Sequence, residues 1–441
     1  MPDHRPAAGT DAPARARPAA HVLVRTKALL TAGAFLATTL TSCDASPWDS
    51  VPPPTSSVPR AGNSYPPQDA KPTTPRGTGD ATPASPRGTG EPGIPPYDLA
   101  EQSILVELAE DSPAPGVAAL VSRDSRTWFG AAGHATYGSA RPPRREDHFR
   151  IGTLSQTFIA VVVLQLAAEG RIGLADPVER HLPGLLRGNG HDGRRILVLH
   201  LLVHNAGLHP YLQDRKSPYR SYDRRYTAAD LVRLGLSRPP ESPPGLNYRD
   251  SHAHYAVLGL LIERLTGRSY AAEVRRRILD PLDLTGTSFP GTRRDLPSPH
   301  GSAYGGRASK PTDLTEIDPT VLGAGGEMIS TLDDLNRFYT ALLRGSLLPK
   351  AQLARMLDVS DGMGHAGLGI GLYEVSCGAR LWTASNELAG TSVQTVVSHS
   401  GDHATTLFAN ADWLSATIAG SDTLMETEFC GRPDPHRPPE P

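Results

Sequence analysis

The amino-acid sequence predicts a mixed α/β domain in which an antiparallel sheet is flanked by helices and carries a helical insertion. Strand-like runs lie near both ends of the folded part, at residues 116–122 and 128–132 and again at 367–373, 395–399 and 405–409. Helical patterns fill the chain between these two groups. Strands at both ends with helices between them indicate a sheet layer plus an inserted all-helical part.

Local patterns justify each element in turn. The two early runs read as the strands of a hairpin. Residues 158–168 are apolar nearly all round, which predicts a helix buried at the centre of the domain. Residues 255–265 form a second apolar helix that Gly267 ends. A third helix, at residues 332–343, begins behind the capping residues Ser330 and Thr331.

Composition excludes two broad classes of protein. The chain has 441 residues, 38% of them hydrophobic, and a formal net charge of -2. These values exclude a multi-span membrane protein and a chain that binds nucleic acid through bulk positive charge. With 43 glycines and 42 prolines, the chain is expected to contain a linker or tail.

The N-terminal segment predicts export and lipid anchoring. Arg25 and Lys27 precede an uncharged run at residues 28–40, and Cys43 follows shortly after. An apolar run of about 13 residues fits a signal peptide and is too short to span a bilayer. We expect a signal peptide over residues 1–42 and a lipidated Cys43 on the outer face of a bacterial cell membrane. A weak membrane anchor with an incidental cysteine is the alternative.

The rest of the chain divides into three further parts. Residues 43–97 are rich in proline, glycine and threonine, which predicts a disordered linker. The folded domain is expected over 98–433, with a tail at 434–441. Once Cys43 carries lipid, Cys377 and Cys430 remain, and outside the cytoplasm such a pair is expected to form a disulfide.

Several segments, in the same order along the chain, resemble one enzyme family. They are Phe149–Phe158, Gly170–Arg180, Leu201–Leu208, Pro244-Gly245 with Tyr255–Gly259, Pro281–Thr287, Gly325-Gly326 and His399-Ser400-Gly401. Together they resemble the serine β-lactamase and D-alanyl-D-alanine carboxypeptidase family, which includes penicillin-binding proteins. The resemblance implies a β-lactamase/transpeptidase-like fold, an α/β part at about 98–170 and 300–433, a helical part at about 171–299, and covalent serine catalysis in the cleft between them.

The first catalytic motif of that family is altered. Covalent catalysis there needs a serine at the start of the central helix and a lysine one turn later to accept its proton. In register, these positions hold Thr153 and Gln156. Loss of a nucleophile or its base typically costs about 10⁴ to 10⁶ in rate.

The second motif, Tyr-x-Asn, is altered as well. Counted from Pro244 forward and from Tyr255 backward, the tyrosine position falls on Asp250 and the asparagine position on His252. Tyr248 then fills the aromatic position just before the motif and is expected to line the cleft.

The third motif is interpreted as His399-Ser400-Gly401, followed by Asp402. The resemblance implies that these four residues line the cleft, with Asp402 at the position whose backbone N–H completes the oxyanion hole. A carboxylate there is a poor neighbour for a developing oxyanion. The substitutions add negative charge, so a terminal D-alanine carboxylate should bind poorly.

For Thr153 and Gln156 the sequence favours a structural interpretation over a catalytic one. Thr-x-x-Gln matches a capping box, in which each side chain bonds to the other residue's backbone N–H. That arrangement would close the helix end without any chemistry.

The favoured functional hypothesis is a catalytically silent, surface-anchored relative whose cleft binds a cell-wall peptide or a protein partner. We expect a monomer that needs no cofactor and binds no nucleic acid. One alternative is an altered hydrolase in which Thr153 attacks with His252 or His399 as base. Another is a divalent-cation site made by Asp250, His252, His399 and His403.

Overall fold

The computed structural model describes residues 96–111, 114–214, 224–307, 310–362, 364–412 and 415–431. The predicted signal peptide, Cys43, the linker up to residue 95 and the predicted tail lie outside these ranges. No helix within the described ranges is long and apolar enough to cross a membrane.

A six-stranded antiparallel sheet forms the centre of the described chain, as the sequence predicts. In spatial order its strands are β2 (Arg126–Gly133), β1 (Gly116–Arg123), β12 (His403–Ala409), β11 (Thr391–Val397), β10 (Arg380–Leu388) and β9 (Gly371–Glu374). The first two strands form the predicted hairpin, so the sheet is built from the two ends of the folded chain.

Helices cover both faces of this sheet. In chain order, the described α-helices, including those of the helical part away from the sheet, are α1 (Pro96–Asp111), α2 (Ser155–Ala168), α3 (Val178–His181), α4 (Val198–Leu202), α5 (Ala228–Gly235), α6 (His252–Thr266), α7 (Tyr270–Val274), α8 (Leu332–Leu343), α9 (Lys350–Met356) and α10 (Ser415–Cys430). Short two-stranded ladders complete the fold: β3 (Phe149–Arg150) with β8 (Ile329–Ser330), β4 (Arg187–Gly188) with β5 (His191–Asp192), and β6 (Tyr304–Arg307) with β7 (Lys310–Asp313).

The period of two along a strand divides the core into two clusters. In β1, Val117 and Ala119 face the cluster that includes α1 and α10. Ala118 and Leu120 face the opposite cluster, which includes α2, α6 and α8. Helix α2 is therefore buried between the sheet and the helical part, which explains why Phe158 and its neighbours are apolar on every side.

The local predictions for the helices are confirmed. The predicted central helix is α2, although it begins three residues earlier than predicted. Helix α6 ends at Gly267, whose φ of +72° suits glycine. The Thr331 hydroxyl accepts a hydrogen bond from the backbone N–H of Asp334 and caps α8. Cys377 and Cys430 form the expected disulfide, with Cα atoms 5.7 Å apart.

Several elements were not predicted, among them α1, α10 and strand β10. The strand matters most, because β10 passes directly beside the start of α2. It pairs with β9 on one side and with β11 on the other. The predicted run at 367–373 corresponds to β9, which is shorter, and the run at 395–399 corresponds to β11, which begins earlier in the chain.

Candidate active-site cleft

Thr153 lies at the entry to α2, in a short 3₁₀ turn formed by Gly152–Leu154. Gly152 has a φ of +48°, and a Cβ built on it would lie 1.7 Å from Asn386 Oδ1, so this position requires glycine. The Thr153 hydroxyl donates to the carbonyl of Ser385 at 2.5 Å. Its backbone N–H donates to Asn386 Oδ1 at 3.2 Å. The hydroxyl and the backbone N–H of Thr153 are therefore both bonded to strand β10.

The predicted capping box between Thr153 and Gln156 is wrong. Helix α2 begins at Ser155, its N-cap is Leu154, and no side chain caps it. The 3₁₀ turn moves Thr153 out of the N-cap position, and β10 takes the hydrogen bonds that the box would need. The Gln156 side chain bonds to His204 and not to the backbone N–H of Thr153.

Gln156 ends a chain of hydrogen bonds through two buried histidines. His204 Nε2 lies 2.9 Å from Gln156 Oε1, and His204 Nδ1 lies 3.1 Å from His254 Nδ1. The backbone N–H of Ser251 donates to His204 Nδ1, so the proton of neutral His204 is on Nε2 and is donated to Gln156. The backbone N–H of Leu208 donates to His254 Nε2, which leaves the His254 proton on Nδ1, where it is donated to His204.

This chain holds both imidazoles in the neutral form. Burial lowers the pKa of His204 and lowers the pKa of His254 well below its usual range. A carboxamide such as Gln156 is not a base, and its oxygen already accepts a hydrogen bond from His204 Nε2–H. The family's lysine position thus carries no group that can take a proton from Thr153.

Asp250 and Tyr248 lie on the other side of His204. Asp250 Oδ1 is 3.4 Å from His204 Nδ1 and has no hydrogen-bond partner among the described residues. The Tyr248 ring lies edge-on to the His204 ring, with centroids 5.8 Å apart. Burial, helped by the Asp250 carboxylate, raises the pKa of Tyr248 to about 12. Its hydroxyl therefore remains protonated at neutral pH and cannot act as a base.

His252 is the first residue of α6 and is only 5% exposed. Its ring packs against two glycines, since a Cβ on Gly325 or Gly326 would lie 3.1 Å from a ring atom. Burial lowers the pKa of His252 to about 4, so the ring is neutral at pH 7. Its Nε2 has no hydrogen-bond partner within the described chain.

Two adjoining cavities open beside these residues. One has a volume of about 320 Å³ and is lined by Thr153, His252 and Asn386 among others. The second, of about 220 Å³, is lined by Gln156 and His204. Thr153, Asp250 and Ser385 line both. Among the described residues that line the two cavities, Asp250 has the one charged side chain, so the cleft is anionic.

The predicted position of the third motif is wrong. His399, Ser400, Gly401 and Asp402 form the turn between β11 and β12, and none of them lines either cavity. Ser385 pairs with Gln394, five residues before His399, which at about 3.3 Å per residue puts His399 about 16 Å further along the sheet. His399 Nδ1 accepts a hydrogen bond from Trp382 Nε1, and Asp402 accepts one from Ser398.

Strand β10 supplies the residues that face Thr153 instead, namely Ala384, Ser385 and Asn386. None of them matches the family's triplet, so residue identity alone misses them. The order of the strands could have found them, because a single strand follows the His399 turn whereas two follow Asn386. His204 lies within the Leu201–Leu208 segment that resembles the family, but the family's three motifs do not mark it as a site residue.

The four residues of the cation-site hypothesis do not converge. His403 Nε2 lies 2.9 Å from Glu428 Oε2 on the far side of β12, and His399 contacts Trp382. Asp250 and His252 line the cleft without them. Within the described ranges, no group of three or more His, Cys, Asp or Glu side chains could hold a metal ion.

Comparison with known proteins agrees with this fold. The β-lactamase family model matches residues 102–414, which is most of the chain. The chain belongs to the β-lactamase family. Its fold is accordingly the β-lactamase/transpeptidase-like fold that the sequence predicts.

Individual relatives differ in activity. A D-stereospecific amidohydrolase from Streptomyces is 36% identical, with a TM-score of 0.69 over 76% of this chain and 99% of that one. The esterase EstB of Burkholderia gladioli is 29% identical over 299 residues, which is 59% of this chain and 74% of the esterase. The putative penicillin-binding protein PbpX of Bacillus subtilis is 25% identical over 263 residues, 59% of this chain. The match spans 62% of that relative's length.

Proposed function

We propose that this chain is a surface-anchored member of the β-lactamase family that binds a cell-wall peptide or a related amide in its cleft without hydrolysing it. The observation that carries the proposal is the bonding of Thr153. Its hydroxyl donates to the Ser385 carbonyl and its N–H to the Asn386 side chain. A nucleophile needs a base at its hydroxyl, and the oxyanion that follows needs free N–H donors. Thr153 has neither.

Residues around Thr153 support the same conclusion. Gln156 has an amide at the position where the chemistry needs a base, and its oxygen accepts a hydrogen bond from His204. Asn386 fills the space above Gly152, so a substrate carbonyl oxygen would have to displace a buried side chain to reach the Thr153 N–H. Loss of one oxyanion donor typically costs about 10² to 10³ in rate, and loss of the nucleophile or base about 10⁴ to 10⁶.

The cleft itself supports a binding role. The two cavities, of about 320 and 220 Å³, are large enough for a small peptide fragment or an amide. One relative is a D-stereospecific amidohydrolase, which favours an amide ligand. Surface anchoring rests on the sequence pattern around Cys43, and the Cys377–Cys430 disulfide is compatible with an oxidising compartment.

The test is a turnover assay with a matched variant. The purified protein and its Thr153→Ala variant are incubated with a D-alanyl-D-alanine peptide, a D-amino-acid amide and an activated ester, and the products are separated by chromatography. We expect both proteins to release product at the buffer rate. Turnover by the wild type that the Thr153→Ala variant loses would contradict the proposal.

A second candidate, an altered hydrolase, is favoured by one observation. The neutral His252 ring lines the same cavity as Thr153, and its Nε2 has no hydrogen-bond partner among the described residues. Such a nitrogen could act as a base if Thr153 turned away from Ser385. Turnover that both Thr153→Ala and His252→Asn abolish would establish this candidate. His399 is not a candidate base, because it lies in the distant turn.

A further inference from the structure

A third cavity adjoins the cleft. Its lining residues come from three segments, at 207–210, 238–242 and 247–249, and its volume is about 500 Å³, larger than either cleft cavity. We call it the side cavity. Tyr248 lines both the side cavity and the cleft cavity of about 220 Å³, and Pro210 lines both the side cavity and the one of about 320 Å³. A ligand in the cleft therefore lies next to the side cavity.

Backbone hydrogen bonds fix the position of the side cavity's walls. The backbone N–H of Arg249 donates to the carbonyl of His204 at 2.7 Å, and that of His209 donates to the carbonyl of Gly235 at 2.7 Å. These bonds connect the segment at 207–210 to the chain on either side of it. The shape of the side cavity is thus set by the fold.

The charge of the lining changes sign between the cleft and the side cavity. Among the described residues, Asp250 is the charged side chain of the cleft cavities, whereas the side cavity is lined by Arg238, Arg249 and Glu241. Arg249 and Asp250 are consecutive residues, and consecutive Cα atoms lie about 3.8 Å apart. A basic site and an acidic site therefore stand one residue apart along the chain.

Both arginines of the side cavity can reach a ligand. Their side chains are 60% exposed in Arg238 and 50% exposed in Arg249. Arg238 Nη2 lies 3.0 Å from each carboxylate oxygen of Asp214, and Arg249 Nη2 lies 3.4 Å from Glu241 Oε1. A guanidinium has five N–H donors, so these contacts leave several donors on each side chain. An exposed ion pair such as Arg249–Glu241 contributes little to stability, so a ligand can compete with it.

The chemistry of this lining suits a carboxylate. The planar guanidinium matches a carboxylate through two parallel hydrogen bonds. Glu241 reduces the net charge of Arg238, Arg249 and Glu241 to one positive, which matches a group with a single negative charge. The Tyr248 side chain, 48% exposed, lies at the boundary of the two cavities and offers an aromatic surface to the part of a ligand that crosses it.

We infer that the side cavity is a second subsite, which binds the carboxylate of an acidic peptide whose amide part lies in the cleft. The carboxylate binds Arg238 and Arg249 and is kept apart from Asp250. The reach is sufficient, since two residues of extended peptide span about 7 Å. This inference rests on the proposed function, and it adds an acidic residue to the ligand that the cleft binds.

The experiment compares two probes by isothermal titration calorimetry on the full-length protein. They are N-acetyl-glutamyl-D-alanine amide and N-acetyl-glutaminyl-D-alanine amide, which differ in one carboxylate and have no free amine. We expect the acidic probe to bind about fivefold more tightly, because a hydrogen bond to a charged group is about twice as strong as a neutral one. The preference should shrink at high salt. Equal affinity for the two probes, or binding of neither, would overturn the inference.

Variants connect the preference to the two arginines. The double variant Arg238→Gln with Arg249→Gln should bind both probes equally, and Arg249→Glu should bind the neutral probe more tightly than the acidic one. Arg264 is an exposed arginine of α6 that lines none of the three cavities. Arg264→Gln should therefore keep the full preference. An undiminished preference in the folded double variant would refute the assignment to the side cavity.

Probe recovered after each titration separates this inference from the proposed function. Hydrolysed probe would contradict silence, whatever the preference between the two probes. Intact probes that bind with equal affinity would leave silence standing and overturn the second subsite.

Discussion

Replacing His252 by asparagine should make the protein less sensitive to acid. Burial lowers the pKa of His252 to about 4, from an ordinary value near 6.5. As the pH falls from about 6.5 to 4, His252 becomes protonated in the unfolded chain but stays neutral in the folded state. The folded state therefore loses stability over this range, and above pH 6.5 the histidine makes no pH-dependent contribution.

The magnitude follows from the gap between the two pKa values. At about 1.4 kcal/mol per pH unit, His252 accounts for about 3 kcal/mol of stability lost by pH 4. His204 and His254 shift in the same direction. Glu327 opposes them, because burial raises its pKa to about 7 and the cost of its buried charge disappears as the pH falls. The pH dependence of wild-type stability therefore does not separate the contribution of His252 from those of the other buried groups.

The assay is urea unfolding of wild type, His252→Asn and Glu327→Gln at several pH values between 7.5 and 4. Relative to wild type, the free energy of unfolding of His252→Asn should rise by about 3 kcal/mol as the pH falls. That of Glu327→Gln should fall, which makes it a control of opposite sign. A constant difference between His252→Asn and wild type across this range would refute the reasoning.

Two further predictions concern the support of the cleft and of the sheet. Gly152→Ala would place a Cβ 1.7 Å from Asn386 Oδ1 at a φ of +48°, so the free energy of unfolding, measured by thermal unfolding, should fall by about 3 kcal/mol. The loss should be smaller in a protein that also carries Asn386→Ala, and additive effects of the two substitutions would contradict the contact. The Cys377–Cys430 disulfide joins residues 53 apart, so replacing both cysteines by serine should lower the free energy of unfolding by about 4 kcal/mol. A reductant should lower the melting temperature of wild type but not that of the variant. Equal melting temperatures of wild type with and without the reductant would contradict a stabilising role for the disulfide.

Local patterns predicted the elements whose structure is decided locally. Helix α8 has an N-cap threonine in its own sequence, and the hairpin of β1 and β2 follows from short apolar runs. The family register predicts that Thr153, Gln156, Asp250 and His252 lie in one cleft, and in the structure all four line its cavities.

Predictions failed where distant segments decide the structure. The capping box at Thr153 and Gln156 satisfies every local rule, yet β10 takes the Thr153 hydrogen bonds from more than 230 residues away. Strand β10 itself is polar at Ser385 and Asn386, which line a cleft cavity, so a search for apolar strand-like runs misses it. The triplet at His399 resembles the motif in residue type, but it lies in the turn between β11 and β12, far from Thr153.

Covalent labelling tests the central claim most directly. A labelled β-lactam is incubated with wild type and with a repaired protein that carries Thr153→Ser, Gln156→Lys, Asp250→Tyr, His252→Asn and Asn386→Gly, and adducts are detected by intact-protein mass spectrometry. We predict an adduct on the repaired protein, at residue 153, and none on wild type. An adduct on wild-type Thr153 would contradict the claim that the cleft has lost its chemistry.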